Sequence, residues 1–193
     1  MNPEVDISNV VLHTKRLTLR PFCQADLDDF YEYAHVDGVG QMAGWKPHEN
    51  KEKTQEILDH FIVGKKTFAL VLDGKVIGSL GIEHYKEEYY PELANKKCRE
   101  LGYVLSKAYW GQGLMPEAVK EVIRYCFEDL GLDVLTCGHF VWNKQSARVQ
   151  EKCGFHFYSA GKYTTRMGTV EDDIHNILYR EEWQKLQNNI LGE

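Results

Sequence analysis

Residues Arg99–Leu130, RELGYVLSKAYWGQGLMPEAVKEVIRYCFEDL, decide how the rest of the chain is read. Leu101, Tyr103 and Leu105 alternate with Gly102 and Val104, which suits a strand buried on both faces. Ser106–Gly113 follows as a turn-rich loop with Gly111 and Gly113 two apart. Beyond it, Met115, Ala118, Val119, Val122, Ile123, Cys126, Phe127 and Leu130 recur at three- and four-residue steps and form one apolar stripe on a helix. Pro116 falls in the first turn, where a missing N–H costs little, and Gly131 lies just past the last periodic position. A strand feeding a glycine loop that opens a helix presents unspent N–H groups at the positive end of a dipole, a place for phosphate or pyrophosphate. A glycine loop that only makes a tight turn is the competing reading, and a lone GxG pair does not separate the two.

At 193 residues the chain is long enough for one domain with a substantial core, and 43% hydrophobic with 27% charged residues marks an ordinary globular protein. A net charge of −6 argues against nucleic acid, whose binding surfaces are basic, and suits a cationic partner such as an amine. There is no run of about 18 apolar residues and no charged-then-apolar leader pattern in MNPEVDISNV, so no membrane contact is expected and the cytoplasm is the default. The five cysteines include no CxxC. Cys137 with His139 and Cys153 with His156 raise the question of zinc, but both pairs sit in ordinary strand and helix-end patterns, and no metal is expected.

The remaining elements read as follows. Val10–Arg20 is a first strand stopped by Pro21, and Ala25–His35 a short helix with Asp26, Asp28 and Asp29 at its start. His35–Pro47 is a long loop suited to lining a pocket, and its Trp45 is either a wall facing substrate or, the preferred reading, an anchor in the core. Lys51–Val63 is a helix, and the strands Phe68–Leu72 and Val76–Ile82 form a hairpin about Asp73-Gly74. Tyr85–Lys97 lacks a period and reads as a surface excursion before the strand Cys98–Leu105. Strand Val134–Trp142 leads to helix Asn143–Cys153, closed by Gly154, then strands Phe155–Tyr158 and Ile174–Tyr179 and a helical tail Arg180–Leu186. Asn143 is a natural N-cap with Ser146 one turn on, so both suit capping alone. With no repeat or linker, residues 1–193 form a single α/β domain.

Strand ELGYVL, loop YWGQGLMPEA, the N-x-x-S of Asn143 and Ser146, Glu151-Lys-Cys-Gly154-Phe155 and the opening KRLTLRPFCQADLDDFYEY together resemble the GNAT superfamily of acyltransferases. More narrowly, they are similar to its RimJ/RimL-like branch, which includes N-acetyltransferases of ribosomal proteins. The resemblance implies a mixed central sheet flanked by helices, with strands 4 and 5 of the family fold, here Cys98–Leu105 and Val134–Trp142, splayed apart. It implies acetyl-CoA as acyl donor and an N-acetyltransferase acting on a primary amine by direct attack in a ternary complex. The partner would be a small-molecule or peptide amine, and homodimers are frequent among similar proteins.

Carried over by position, the pyrophosphate loop runs from Trp110 through Gly111 to Gly113 and Met115, with Gln112, Gly113, Leu114 and Met115 as N–H donors. Met115 departs from the small residue the family keeps there. The pantetheine arm would run along Tyr103, Val104 and Leu105, with Asn143 beside it. Much of the superfamily places a tyrosine acid where this chain has Gln150, which cannot donate a proton as an acid; the branch it resembles has a serine matching Ser146, so Ser146 is the candidate for contact with the thiol. Glu100 and Glu83 are the plausible carboxylate bases, directly or through water. Proximity would supply much of the rate, and N–H groups of the splayed strand would stabilise an oxyanion. Acylation of a polyamine, amino sugar or amino acid, a CoA-binding module without turnover, and a nucleotide-binding protein are the alternatives; the last lacks the GxxxxGK[ST] spacing.

Overall fold

The computed structural model describes residues 1–191. Its strands are β1 (Leu12–His13), β2 (Thr18–Pro21), β3 (Thr67–Leu72), β4 (Lys75–Glu83), β5 (Cys98–Leu105), β6 (Val134–Phe140), β7 (His156–Thr164) and β8 (Val170–Tyr179). The helices are α1 (Leu27–Ala34), α2 (Lys51–Gly64), α3 (Leu114–Arg124), α4 (Lys144–Lys152) and α5 (Arg180–Leu191). All strands join one mixed sheet in the order β1-β2-β3-β4-β5-β6-β8-β7. Among the described residues, only β5 and β6 run parallel.

Helices cover both faces, which is why the central strands lack a polar side. On one face Leu114, Met115, Ala118, Val119, Val122 and Ile123 of α3 are buried against Leu80, Ile82, Leu101, Leu135 and Leu178. Apart from Ala118, each of these side chains contributes about 1.5–3 kcal/mol on leaving water. On the other face Phe30, Tyr33 and Ala34 of α1 and Leu58 of α2 pack on Ala69 and Val76, with Trp45 against the same cluster as an anchor.

The structure departs from the sequence reading in four places. Val10–Arg20 is a hairpin, because Thr14 accepts the Leu17 N–H at its side chain (2.9 Å) and donates its own N–H to Leu17 O (2.9 Å), folding β1 onto β2. Tyr85–Lys97 is no surface excursion: two 3₁₀ turns drive Tyr85, Tyr90 and Leu93 into a third apolar cluster with Cys98, Val134 and Ile177. The α3 stripe ends in a π-helical turn, Tyr125–Asp129, which brings Tyr125, Cys126 and Phe127 inward in succession. Finally, β7 and β8 extend toward each other as far as Thr164↔Val170, polar in sequence because this edge hairpin is half solvated.

The feature that matters most lies between β5 and β6. They pair only at Cys98↔Val134, Arg99↔Leu135 and Glu100↔Thr136. Above that point β5 stays with β4 up to Gly78↔Leu105, and β6 stays with β8 up to Phe140↔Asp173. The next carbonyl, Leu101 O, accepts from the Cys137 thiol at 3.2 Å. The sheet opens there into a cleft.

Candidate active site

The cleft faces the N-terminal mouth of α3. Gly111 (φ 76°) and Gly113 (φ 73°) both take the left-handed conformation that a side chain disfavours, and Gly113 is the N-cap. The first helical N–H to be spent is that of Glu117, on Gly113 O (3.3 Å). Among the described residues, the N–H groups of Gln112, Gly113, Leu114 and Met115 have no acceptor, and Pro116 has none to offer. The loop is braced from β2's approach: Arg16 donates from Nη1 to Gln112 O (2.9 Å) and from Nε to Glu117 (2.7 Å). Met115, the departure from a small residue, turns its side chain into the core at 5% exposure, so its length does not enter the mouth. A cavity of about 360 Å³ runs from this mouth along Val104, Leu105, Trp110, Asn143 and Ser146.

Backbone alternation decides what β5 offers the cleft. Ser106 N–H bonds Ile77 O on β4 (2.7 Å), so residues 104, 102 and 100 also turn their polar groups to β4. Val104 O lies so close to Gly78 that a Cβ there would collide with it. Tyr103 and Leu105 therefore face the cleft, while Leu105 O is already taken by Trp110 Nε1 at 2.9 Å. Asn143 accepts the Ser146 N–H (3.1 Å) as the cap of α4 and donates to Met42 O (3.2 Å), tying the helix to the 3₁₀ turn Gly40–Ala43.

Two hydroxyls meet where the strands part. Tyr103 Oη lies 2.9 Å from Ser146 Oγ, and Gln150 Nε2 donates to Ser146 Oγ (3.1 Å) and Gly138 O (2.9 Å). Asn176 Nδ2 fixes the amide by donating to Gln150 Oε1 at 2.7 Å. Burial holds the Tyr103 phenol well above its usual value, so it keeps its proton. Either hydroxyl can donate across the 2.9 Å contact; when Tyr103 donates to Ser146 Oγ, the Ser146 proton is left for a group in the cleft.

A second cavity, about 180 Å³, adjoins the first at Met42, Tyr103 and Ser146 and contains Glu100. Burial pushes the Glu100 carboxyl up to about 7; Lys86 opposes this, while Glu83 and Asp173 reinforce it. Glu83 pairs with Lys66 and sits across from Glu100 on β4, outside the residues lining the cavity. The segments His35–Pro47 and Tyr85–Lys97 reach this cavity through Met42 and through Lys86 with Tyr89, and β7 reaches it through Tyr163.

Sequence reasoning missed Asp173 and His175, which line the same cavity. His175 lies 3.0 Å from Asp173 Oδ2 and, through Nδ1, 3.1 Å from Ser159 Oγ. The signal was present in VEDDIHNIL: Asp173 and His175 share a strand face with buried Ile177, where a charge is out of place without a partner or a task. Among the described residues no group of His, Cys, Asp and Glu is arranged to hold a metal ion.

A family model described as "Acetyltransferase (GNAT) domain" matches residues 16–156. A curated relative from Aspergillus fumigatus, FsC-acetyl coenzyme A-N(2)-transacetylase, is 34% identical over 129 residues, 65% of this chain and 55% of that protein. The uncharacterized N-acetyltransferase YoaA of Bacillus subtilis is 28% identical over 181 residues, 89% of this chain and 98% of the relative. The matches to the first curated relatives span only 55%, 42% and 60% of those proteins' lengths. The acetyltransferase (GNAT family) of Bacillus anthracis superposes with a TM-score of 0.78 at 21% identity, covering 89% of this chain and 99% of that one. The ribosomal-protein-S5-alanine acetyltransferase of Vibrio fischeri gives 0.68 at 20%, covering 91% and 99%; both likenesses concern the fold.

Proposed function

The chain belongs to the GNAT acetyltransferase family, and from that premise we propose that it moves an acetyl group from acetyl-CoA to a primary amine by direct attack with both substrates bound. The observation that carries this reading is the cleft: β5 and β6 part immediately after Glu100, joining the unspent N–H groups of α3 on one side to a carboxyl of raised pKa on the other. The residues present fit acetyl-CoA, because four free N–H groups at a helix mouth suit a diphosphate and an unpaired strand edge suits the amides of a pantetheine arm.

Acetyl-CoA, when bound, supplies the activated acyl group and a thiol as leaving group. The N–H groups of Gln112 to Met115 would hold the diphosphate, and the cleft-facing backbone of Tyr103 and Leu105 would hold the arm. Glu100, poised near neutrality, takes a proton from the acceptor amine, directly or through water. Ser146, with Tyr103 and Gln150 both donating to its Oγ, donates its own proton in a hydrogen bond to the departing sulfur. Tyr103 and Gln150 position it. Holding both reactants in adjoining cavities supplies much of the rate. At about 180 Å³ the acceptor side takes a small amine whole, or only the amine-bearing end of a peptide such as a protein N-terminus.

Incubation with acetyl-CoA and a panel of amines, read by free-thiol release and mass of the acetylated product, tests this. Amine-dependent release is expected. Tight CoA binding with no release on any amine would replace the enzyme with a binding module.

A further inference from the structure

The acceptor cavity holds two carboxyl groups that are not one catalytic pair. Glu100 stands level with Thr136 on β6, and Asp173 stands level with Phe140, four residues further along the same strand. At about 3.3 Å per residue their backbones are roughly 13 Å apart along the strands, and both side chains line the one cavity. They remain close enough for the charge of Asp173 to raise the pKa of Glu100.

Asp173 is 6% exposed, and its Oδ1 has no hydrogen-bond partner among the described residues. Its other oxygen is held by His175, itself held by Ser159 and stacked on Tyr89 at 4.8 Å. The carboxyl is thus fixed in place with one acceptor unspent, an arrangement that costs stability unless a ligand uses it. Gly161 leaves it room, since a Cβ there would lie 3.1 Å from Oδ1. The cavity mouth already seats an ammonium group: Lys86 Nζ lies 4.9 Å and 4.8 Å from the ring centres of Tyr89 and Tyr163.

We propose that Asp173 binds a second cationic group of the acceptor, so that the preferred substrate is a small compound with two positive centres, one nitrogen facing Glu100 and the other paired with Asp173. This deepens, and rests on, the amine acetyltransferase reading.

The test compares 1,4-diaminobutane with 4-aminobutan-1-ol, of equal length with a neutral far end, in wild type and Asp173→Asn. Asparagine keeps the shape and still accepts from His175, and CoA affinity reports whether the variant is folded. Wild type should favour the diamine by at least tenfold in kcat/KM, and the substitution should bring that ratio to about one through KM. Calorimetric titration of the CoA complex with 1,4-diaminobutane should show the same Asp173-dependent loss of affinity. Equal use of both amines by wild type, or a ratio unmoved by the substitution, would overturn the proposal, as would failure of the diamine both to bind and to react. Asp173-dependent diamine binding without acetyl transfer would instead leave this site standing and remove the catalytic reading.

Discussion

The Tyr103 hydroxyl sits 2.9 Å from the Ser146 hydroxyl, joining a strand and a helix 43 residues apart at the point where the sheet opens. Gln150 Nε2 donates to the same pair, so a phenol of β5 and an amide of α4 converge on the Ser146 hydroxyl. Ser146→Ala should lower kcat about tenfold, the worth of roughly one hydrogen bond in the transition state, with CoA affinity changed less than twofold. Tyr103→Phe should give a smaller loss, and the double variant should be non-additive. Steady-state kinetics beside CoA titration checks this; a kcat unmoved in Ser146→Ala would leave Ser146 no part in transfer.

As the proposed base, Glu100 would act only when ionised. With its carboxyl near 7, kcat/KM should rise with pH through about 7, and Glu100→Gln should lose that limb along with most of the rate. Stability moves the other way. A carboxyl raised above its usual 4.5 favours folding at low pH, and that contribution is lost as pH climbs to 7. Glu100→Gln should therefore raise Tm at pH 8 and leave it nearly unchanged at pH 4. Equal Tm differences at both pH values would refute the burial argument.

Gly113 combines a positive φ with a place at the helix mouth. Gly113→Asp should weaken CoA by roughly a hundredfold or more, because a carboxylate would compete for N–H groups that suit a diphosphate. Gly113→Ala should cost about 1–2 kcal/mol of stability from the left-handed backbone. Calorimetry and thermal melts separate the two effects.

Arg16 holds Gln112 O and Glu117, fastening the glycine loop to the first hairpin. It is 40% exposed at the side chain, so Arg16→Ala should lower stability by only about 0.5 kcal/mol. CoA affinity should fall several-fold because the loop is no longer pre-set. Unchanged affinity would show that the loop holds its shape alone.

The sequence was most legible where a local rule sufficed. The stripe on α3, its glycine entry, the Asp73-Gly74 turn and the Asn143 cap all lie where periodicity and turn chemistry put them. The first hairpin escaped because apolar alternation ran on through its turn, and Tyr85–Lys97 escaped because two 3₁₀ turns have no period of their own. Val104 was expected to present its backbone to the cleft, but the parity of the β4 ladder presents Tyr103 and Leu105.

What the sequence determined by itself was which side chains share a face, since a helix or strand fixes that within a few residues. It thereby set the fold class and the glycine entry to α3 with its unspent N–H groups. Only the tertiary structure decided where the β5–β6 ladder stops, which hydroxyl Ser146 meets, and that Glu100 and Asp173 look into one cavity. Those outcomes depend on register between distant strands and on exclusion of water by helices packed from both faces, and no local pattern encodes either.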